Sequence, residues 1–202
     1  MATKMSVWIC ALLFPLCLTD LFSVFSPEQV YDNFEGNKSV CYGERSGVLD
    51  TLVNNPAPNA VNNSRKCALY VRNGGRKFDN IKMTLAGKLT GVDKFATYSG
   101  VPPKIKMKIY TTAPAGTLVE ILLGSKMGNN NYPAGTHSQY QSHTSTSNEW
   151  ENLEFLFSQI PQGSEISADD IDQITLLFFP NSGNSDTYYF DEISGPSLKT
   201  DK

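Results

Sequence analysis

Charge is scarce in this chain. Asp, Glu, Lys and Arg make up 18% of its 202 residues and the formal net charge is −3 at pH 7, so no basic surplus exists to neutralise a phosphate backbone and nucleic acid is excluded as an expected partner. There is no acidic or basic tail. Histidine is scarcer still: the two residues, His137 and His143, lie far from the cysteines, none of which has a ligand-spaced partner, and this argues against a zinc site. Sustained helical periodicity is missing. Only "SADDIDQI" offers a short turn, starting at Ser167 with Asp169 and Asp170 near its positive end. No Gly-x-Ser-x-Gly elbow is present, which removes the commonest serine hydrolase arrangement. No internal repeat or low-complexity linker divides the chain.

Cysteine is also sparse, and two of the four residues, Cys10 and Cys17, fall within "MSVWICALLFPLCL". That apolar run follows Lys4, is broken by Pro15, and is too short to span a bilayer but suits the core of a signal peptide. Residues 1–26 are expected to be removed, with cleavage between Thr19 and Glu28; a single membrane anchor is the alternative. The remaining domain, 27–202, is then secreted and extracellular, with no membrane contact once the signal is gone, and is expected to be monomeric. Cys41 and Cys67 remain. An even pair in an oxidising compartment reads as one disulfide, closing a loop of about 26 residues and stabilising by about 3 kcal/mol; two buried free thiols are the alternative. Asn37-Lys-Ser39 and Asn62-Asn63-Ser64 are glycosylation sequons for a eukaryotic host.

What the chain does have is strands. Eight short β-rich runs, "CALYVR", "IKMTLAG", "KIKMKIYT", "TLVEILLG", "SQYQSHT", "WENLEFLF", "DQITLLFF" and "TYYFDEI", are separated by Gly, Pro and Asn clusters. In "KIKMKIY", Ile105, Met107 and Ile109 alternate with Lys104, Lys106 and Lys108, giving one dry and one wet face. "WENLEFLF" buries Leu153, Phe155 and Phe157 in the same way. The fold class is all-β: a two-sheet antiparallel sandwich of jelly-roll type.

Both ends of the domain, "YDNFEGN" and "TYYFDEISGP", set carboxylates beside aromatic rings, which implies that the termini meet and share something positive. Together with "LVNNPAPNAVNNSRKCALYVR" and "YPAGTHSQYQSHTSTSNEWENLEFLF", they resemble the galactose-binding-like jelly-roll carbohydrate-binding modules of secreted polysaccharide-degrading proteins, of the kind common in Bacteroidetes, over residues 30 to 196. The resemblance implies a structural calcium ion, with Asp32, Glu35 and Asp191 at the matching positions. Adjacent strand residues point to opposite faces, so Asp191 is favoured over Glu192, provided that a bend turns its carboxylate toward the N-terminal segment.

A sugar presents C–H patches on its ring faces and hydroxyls at its edge, so its site pairs aromatic faces with planar hydrogen-bonding groups. "THSQYQSHT" has neither alternation apolar enough for an ordinary core, which makes it a surface-lining strand. His137, Gln139 and Tyr140 on it, Tyr132 in the loop before it, and Tyr70 and Arg72 on "CALYVR" are the candidate sugar contacts. Catalysis is less well supported. Glu149, Glu151 and Glu154 lack the central Asp of the laminarinase-type Glu-x-Asp-x-x-Glu pattern, and Arg72, His137 and Tyr140 supply lyase residue types without a diagnostic spacing. The expected function is noncatalytic binding of a polysaccharide or cell-surface glycan. An extracellular matrix protein and a small jelly-roll lyase or hydrolase are the alternatives.

Overall fold

The computed structural model describes residues 28–92, 104–126 and 132–199; the expected signal segment lies outside them. The described elements are strands: β1 (Glu28–Asp32), β2 (Val40–Arg45), β3 (Val48–Asn54), β4 (Lys66–Val71), β5 (Ile81–Leu89), β6 (Lys106–Thr111), β7 (Leu118–Gly124), β8 (Gly135–His143), β9 (Glu151–Glu154), β10 (Leu156–Gln159), β11 (Ser164–Glu165), β12 (Ile171–Phe178), β13 (Thr187–Pro196) and β14 (Leu198–Lys199). A six-stranded sheet runs β3-β4-β13-β6-β9 with β1 beside β13, and an eight-stranded sheet runs β10-β8-β7-β12-β5-β14 with β2 beside β5 and β11 beside β8. Apart from the short parallel β11–β8 contact, the pairings are antiparallel, as in β13–β4 and β7–β8. The expected antiparallel sandwich is what forms.

Alternation builds the core. Ile105, Met107 and Ile109 turn inward, while Lys104, Lys106 and Lys108 turn out to Glu154, Glu28 and Glu192. From the facing sheet come Val119, Ile121 and Leu123 of β7 and Ile174, Leu176 and Phe178 of β12. Phe178 stacks on Tyr188 at 4.4 Å between ring centroids and lies 5.8 Å from both Tyr70 and Phe190, so one aromatic cluster bridges the sheets. Each such ring contributes about 1.5–3 kcal/mol through burial. "WENLEFLF" is not one strand. It crosses at Phe155 from β9 in one sheet to β10 in the other, and the inward alternation survives the crossing because Leu153 and Phe155 are buried on either side of the switch.

The two ends do meet. Glu28 pairs with Pro196, Gln29 with Gly195 and Asp32 with Ile193, and the Tyr31 hydroxyl donates to the Pro196 carbonyl at 2.7 Å. A Cβ on Gly195 would lie 2.5 Å from both the Tyr31 hydroxyl and the end of the Ile105 side chain, so a larger residue there would displace one or both.

The expected Cys41–Cys67 disulfide is not formed; both residues are free thiols, Cys41 exposed and Cys67 buried. Topology explains the correction. Val40 faces the core from the eight-stranded sheet, which turns Cys41 outward, whereas Ala68 and Tyr70 face it from the six-stranded sheet, which turns Cys67 outward on the other side. Of these two, Cys41 should therefore react at once with a thiol reagent and Cys67 only on unfolding. Burial and the charge of Asp191 push the Cys67 thiol up to about 12, which reinforces its inertness. Recovery of no thiol from the denatured, unreduced chain would contradict this.

Candidate functional site

The outer face of the eight-stranded sheet is a cleft of about 670 Å³. Register defines its floor: Lys82 pairs with Thr175, Thr175 with Leu122, Leu122 with Gln139, and Gln139 with Gln159. That rung crosses five strands, or about 19 Å at the usual interstrand spacing. Leu118, Leu122 and Leu177 supply apolar surface, and Gln139, Gln159 and Gln173 supply amides. Exposed rings stand at the rim, Phe78 at 62% and Tyr132 at 54% relative exposure.

The amides are held in a fixed order. Gln159 Nε2 donates to Gln139 Oε1 at 2.9 Å, and Gln139 and Gln141 donate to Glu120 Oε2 at 2.6 and 2.8 Å. Burial holds the Glu120 carboxyl above the usual carboxylate range, opposed by these two donors. His137 lies at 5.8 Å from the Tyr132 ring, and burial lowers its basicity. Its Nε2 is buried without a partner among the described residues.

Three of the expected sugar contacts, Tyr132, His137 and Gln139, thus line one cleft. The other three do not. Tyr140 faces the core and packs edge-on against Phe157 at 5.7 Å, because its position in β8 alternates with Gln139. Tyr70 is fully buried, donating to Asp79 at 2.7 Å and accepting from the Gly47 amide. Arg72 is 2% exposed, and its guanidinium donates to five backbone carbonyls, those of Phe178, Asn184, Arg76, Lys77 and Ser182. It ties together the loops that carry Phe78, Pro180 and Asn181 to the cleft rim, where Phe179 and Asn181 have φ of 48° and 60°. The residues missed were Phe78, Glu120, Gln159 and Gln173. A glutamate alternating with leucines in "TLVEILLG" was the available signal.

Two of the three carboxylates considered for catalysis are engaged elsewhere. Glu151 accepts from the amides and hydroxyls of Ser145 and Thr146, Glu154 pairs with Lys104, and both lie on β9 of the opposite sheet. With Arg72 and Tyr140 buried, the residue types of a lyase do not converge on His137.

Asp32 and Asp191 are both buried beside the paired termini. Asp32 accepts from the Phe34 amide at 2.8 Å and the Tyr42 hydroxyl at 3.1 Å. Asp191 accepts from Asn62 Nδ2 at 2.9 Å, from Ser64 Oγ and from the Glu192 amide at 2.7 Å. The bend that Asp191 requires is present: β13 shifts register against β6 between Asp191 and Ser194, and Glu192 has φ of 45°. Desolvation raises both carboxyls, and it also raises the Tyr42 phenol, with the charges of Asp32 and Asp191 adding to it. Two buried acids that share no cationic partner among the described residues offer carboxylate oxygens of the kind a hard cation takes. Glu35 stands apart from the expected trio, accepting from the Arg65 amide at 2.9 Å, and among the described residues no three His, Cys, Asp or Glu side chains gather as a metal site.

No known family profile matches the chain, and no curated protein does. Among solved structures it is similar to a family 11 carbohydrate-binding module from Clostridium thermocellum in complex with a β-1,3-1,4-mixed-linked tetrasaccharide, at TM-score 0.50 and 17% identity over 89% of this chain and 100% of that one. It is also similar to part of an exo-β-agarase, at TM-score 0.50 and 8% identity, covering 86% of this chain and 25% of that one. These likenesses establish the fold, a jelly-roll sandwich.

Proposed function

We propose that this chain is a secreted, noncatalytic carbohydrate-binding module that holds a polysaccharide or glycan chain along the outer face of its eight-stranded sheet, and that a structural calcium ion braces its paired termini. The observation that carries the carbohydrate reading is the cleft: a leucine floor for C–H faces, an ordered row of amides for hydroxyls, and a ring at the rim, over a length that suits several linked sugars. Asp32 and Asp191 would hold the calcium ion, with Asn62 and Ser64 as neighbouring neutral oxygens. Calcium would supply charge compensation there and take no part in sugar chemistry.

Affinity electrophoresis against mixed-linkage β-glucan, xylan, β-1,4-galactan and agarose tests the carbohydrate reading. At least one polymer should retard the protein, without new reducing ends or unsaturated products on incubation. Tyr132→Ala and Gln139→Ala should each weaken that binding about tenfold, the loss expected for one stacking face or one well-made hydrogen bond. Free migration through every gel would refute the proposal.

A further inference from the structure

Past Phe78 the cleft does not end. Phe78 and Asn80 also line a second groove, of about 690 Å³, whose other walls include Glu44, Arg45, Arg76 and Lys77. Glu44 is taken up by Lys82 from the cleft side, which leaves three cations with no ion-pair partner among the described residues; Arg45 donates only to the Gly43 carbonyl at 3.1 Å. Beneath them Asp79 is buried and accepts from Tyr70, Ser46 and the Asn73 amide, and it does not line the groove. The contrast lies on the opposite sheet, where Lys104, Lys106 and Lys108 each have a carboxylate. In a chain of net charge −3, an uncompensated basic groove that continues a neutral cleft is a local reversal of sign. We propose that it is an anion subsite, taking a sulfate ester or carboxylate carried by the glycan that lies in the cleft. The inference rests on the carbohydrate reading. Arginine offers paired N–H donors to either oxyanion and Lys77 adds a point charge, while Phe78 on the shared ridge gives a ring face to the sugar crossing between the two. Glu120 on the cleft floor disfavours an acidic group there. The ligand class is therefore a polysaccharide with neutral stretches and interspersed acidic residues.

The test compares the full chain on matched polymers: agarose with sulfated agar, xylan with glucuronoxylan, and mixed-linkage β-glucan with its lightly sulfated derivative. In at least one pair the acidic member should bind about tenfold tighter at low salt, as a few exposed ion pairs would give, with the advantage shrinking as salt rises. The double substitution Arg76→Gln with Lys77→Gln should erase the advantage and leave neutral binding unchanged. Sulfated agar and glucuronoxylan separate a sulfate preference from a carboxylate preference. Equal or weaker binding of every acidic member overturns the subsite, as does an advantage that survives the double substitution, or competition by a short oligonucleotide as effective as the acidic glycan. Neutral binding without an acidic gain sinks the subsite alone; no binding of either member sinks the carbohydrate reading with it.

Discussion

Replacing Arg72 with methionine will destabilise the protein by about 3–5 kcal/mol, because it strips donors from five backbone carbonyls that lie around a nearly inaccessible side chain. For a chain of this size that corresponds to a fall in Tm of roughly 10 °C. Methionine keeps much of the stem's volume, so the loss reports the hydrogen bonds more than a cavity. Lysine retains the charge but cannot span the same acceptors, and its effect should be intermediate. The functional consequence is directional. The carbonyls of Arg76, Lys77 and Ser182 belong to the loops that present Phe78 and Asn181, whereas Tyr132 and His137 are set by other elements. Binding by the surviving folded fraction should weaken chiefly for ligands long enough to reach Phe78. A variant as stable as the parent in urea would show that the guanidinium merely decorates these loops.

Arg72 also marks where the sequence stopped being informative. "CALYVR" gave the strand, and its alternation was visible, but a terminal arginine on a strand reads equally as a surface contact. What buries it is the pair of loops after β4 and β12, whose approach is a tertiary event. Tyr140 failed for a related reason. Serines beside it made its face look too polar for a core, yet Ser138 and Tyr140 are satisfied by each other at 3.2 Å, which lets both be buried. The strands easiest to recognise were those with strict alternation, such as β6. Among those passed over, β1, β2 and β3 carry Gly, Asp or Asn and acquire their strand character from pairing with β13, β5 and β4.

The cleft was half legible. His137 and Gln139 stood out because β8 is polar, whereas its floor strands β7 and β12 read as buried apolar runs. One alternation of each does face the core. The other carries Glu120 between Leu118 and Leu122, and Gln173 beside Thr175 and Leu177, and only the register across five strands reveals that they face the same way.

If calcium braces the termini as proposed, adding it to the chelated protein should raise stability by about 2.7 kcal/mol at a hundredfold excess over Kd, or roughly 5–10 °C in Tm, since such an ion would bind only the folded chain. The reason lies in the buried pair. Desolvation raises the carboxyls of Asp32 and Asp191 above their unfolded values, so the penalty of holding them ionised is fully present above the folded pKa and is relieved as pH falls through it. In chelator these two groups therefore favour the folded state on mild acidification. Glu28 opposes them, because its carboxyl is lowered by Lys106 and loses its contribution in the same direction. Comparison with a variant isolates the pair's share. Asp191→Asn keeps an acceptor for Asn62 and Ser64 and should stay within about 1 kcal/mol of the parent in chelator at neutral pH, as expected when one buried hydrogen bond is weakened and one buried charge removed. It should lose both the calcium response and part of the acid-side gain. Glu192→Ala, whose carboxylate reaches Lys108 at 2.7 Å, should keep the calcium response intact. A melting curve indifferent to calcium would leave two buried carboxylates at neutral pH with only hydrogen bonds to hold them, and the brace between the termini would then be the β1–β13 ladder alone.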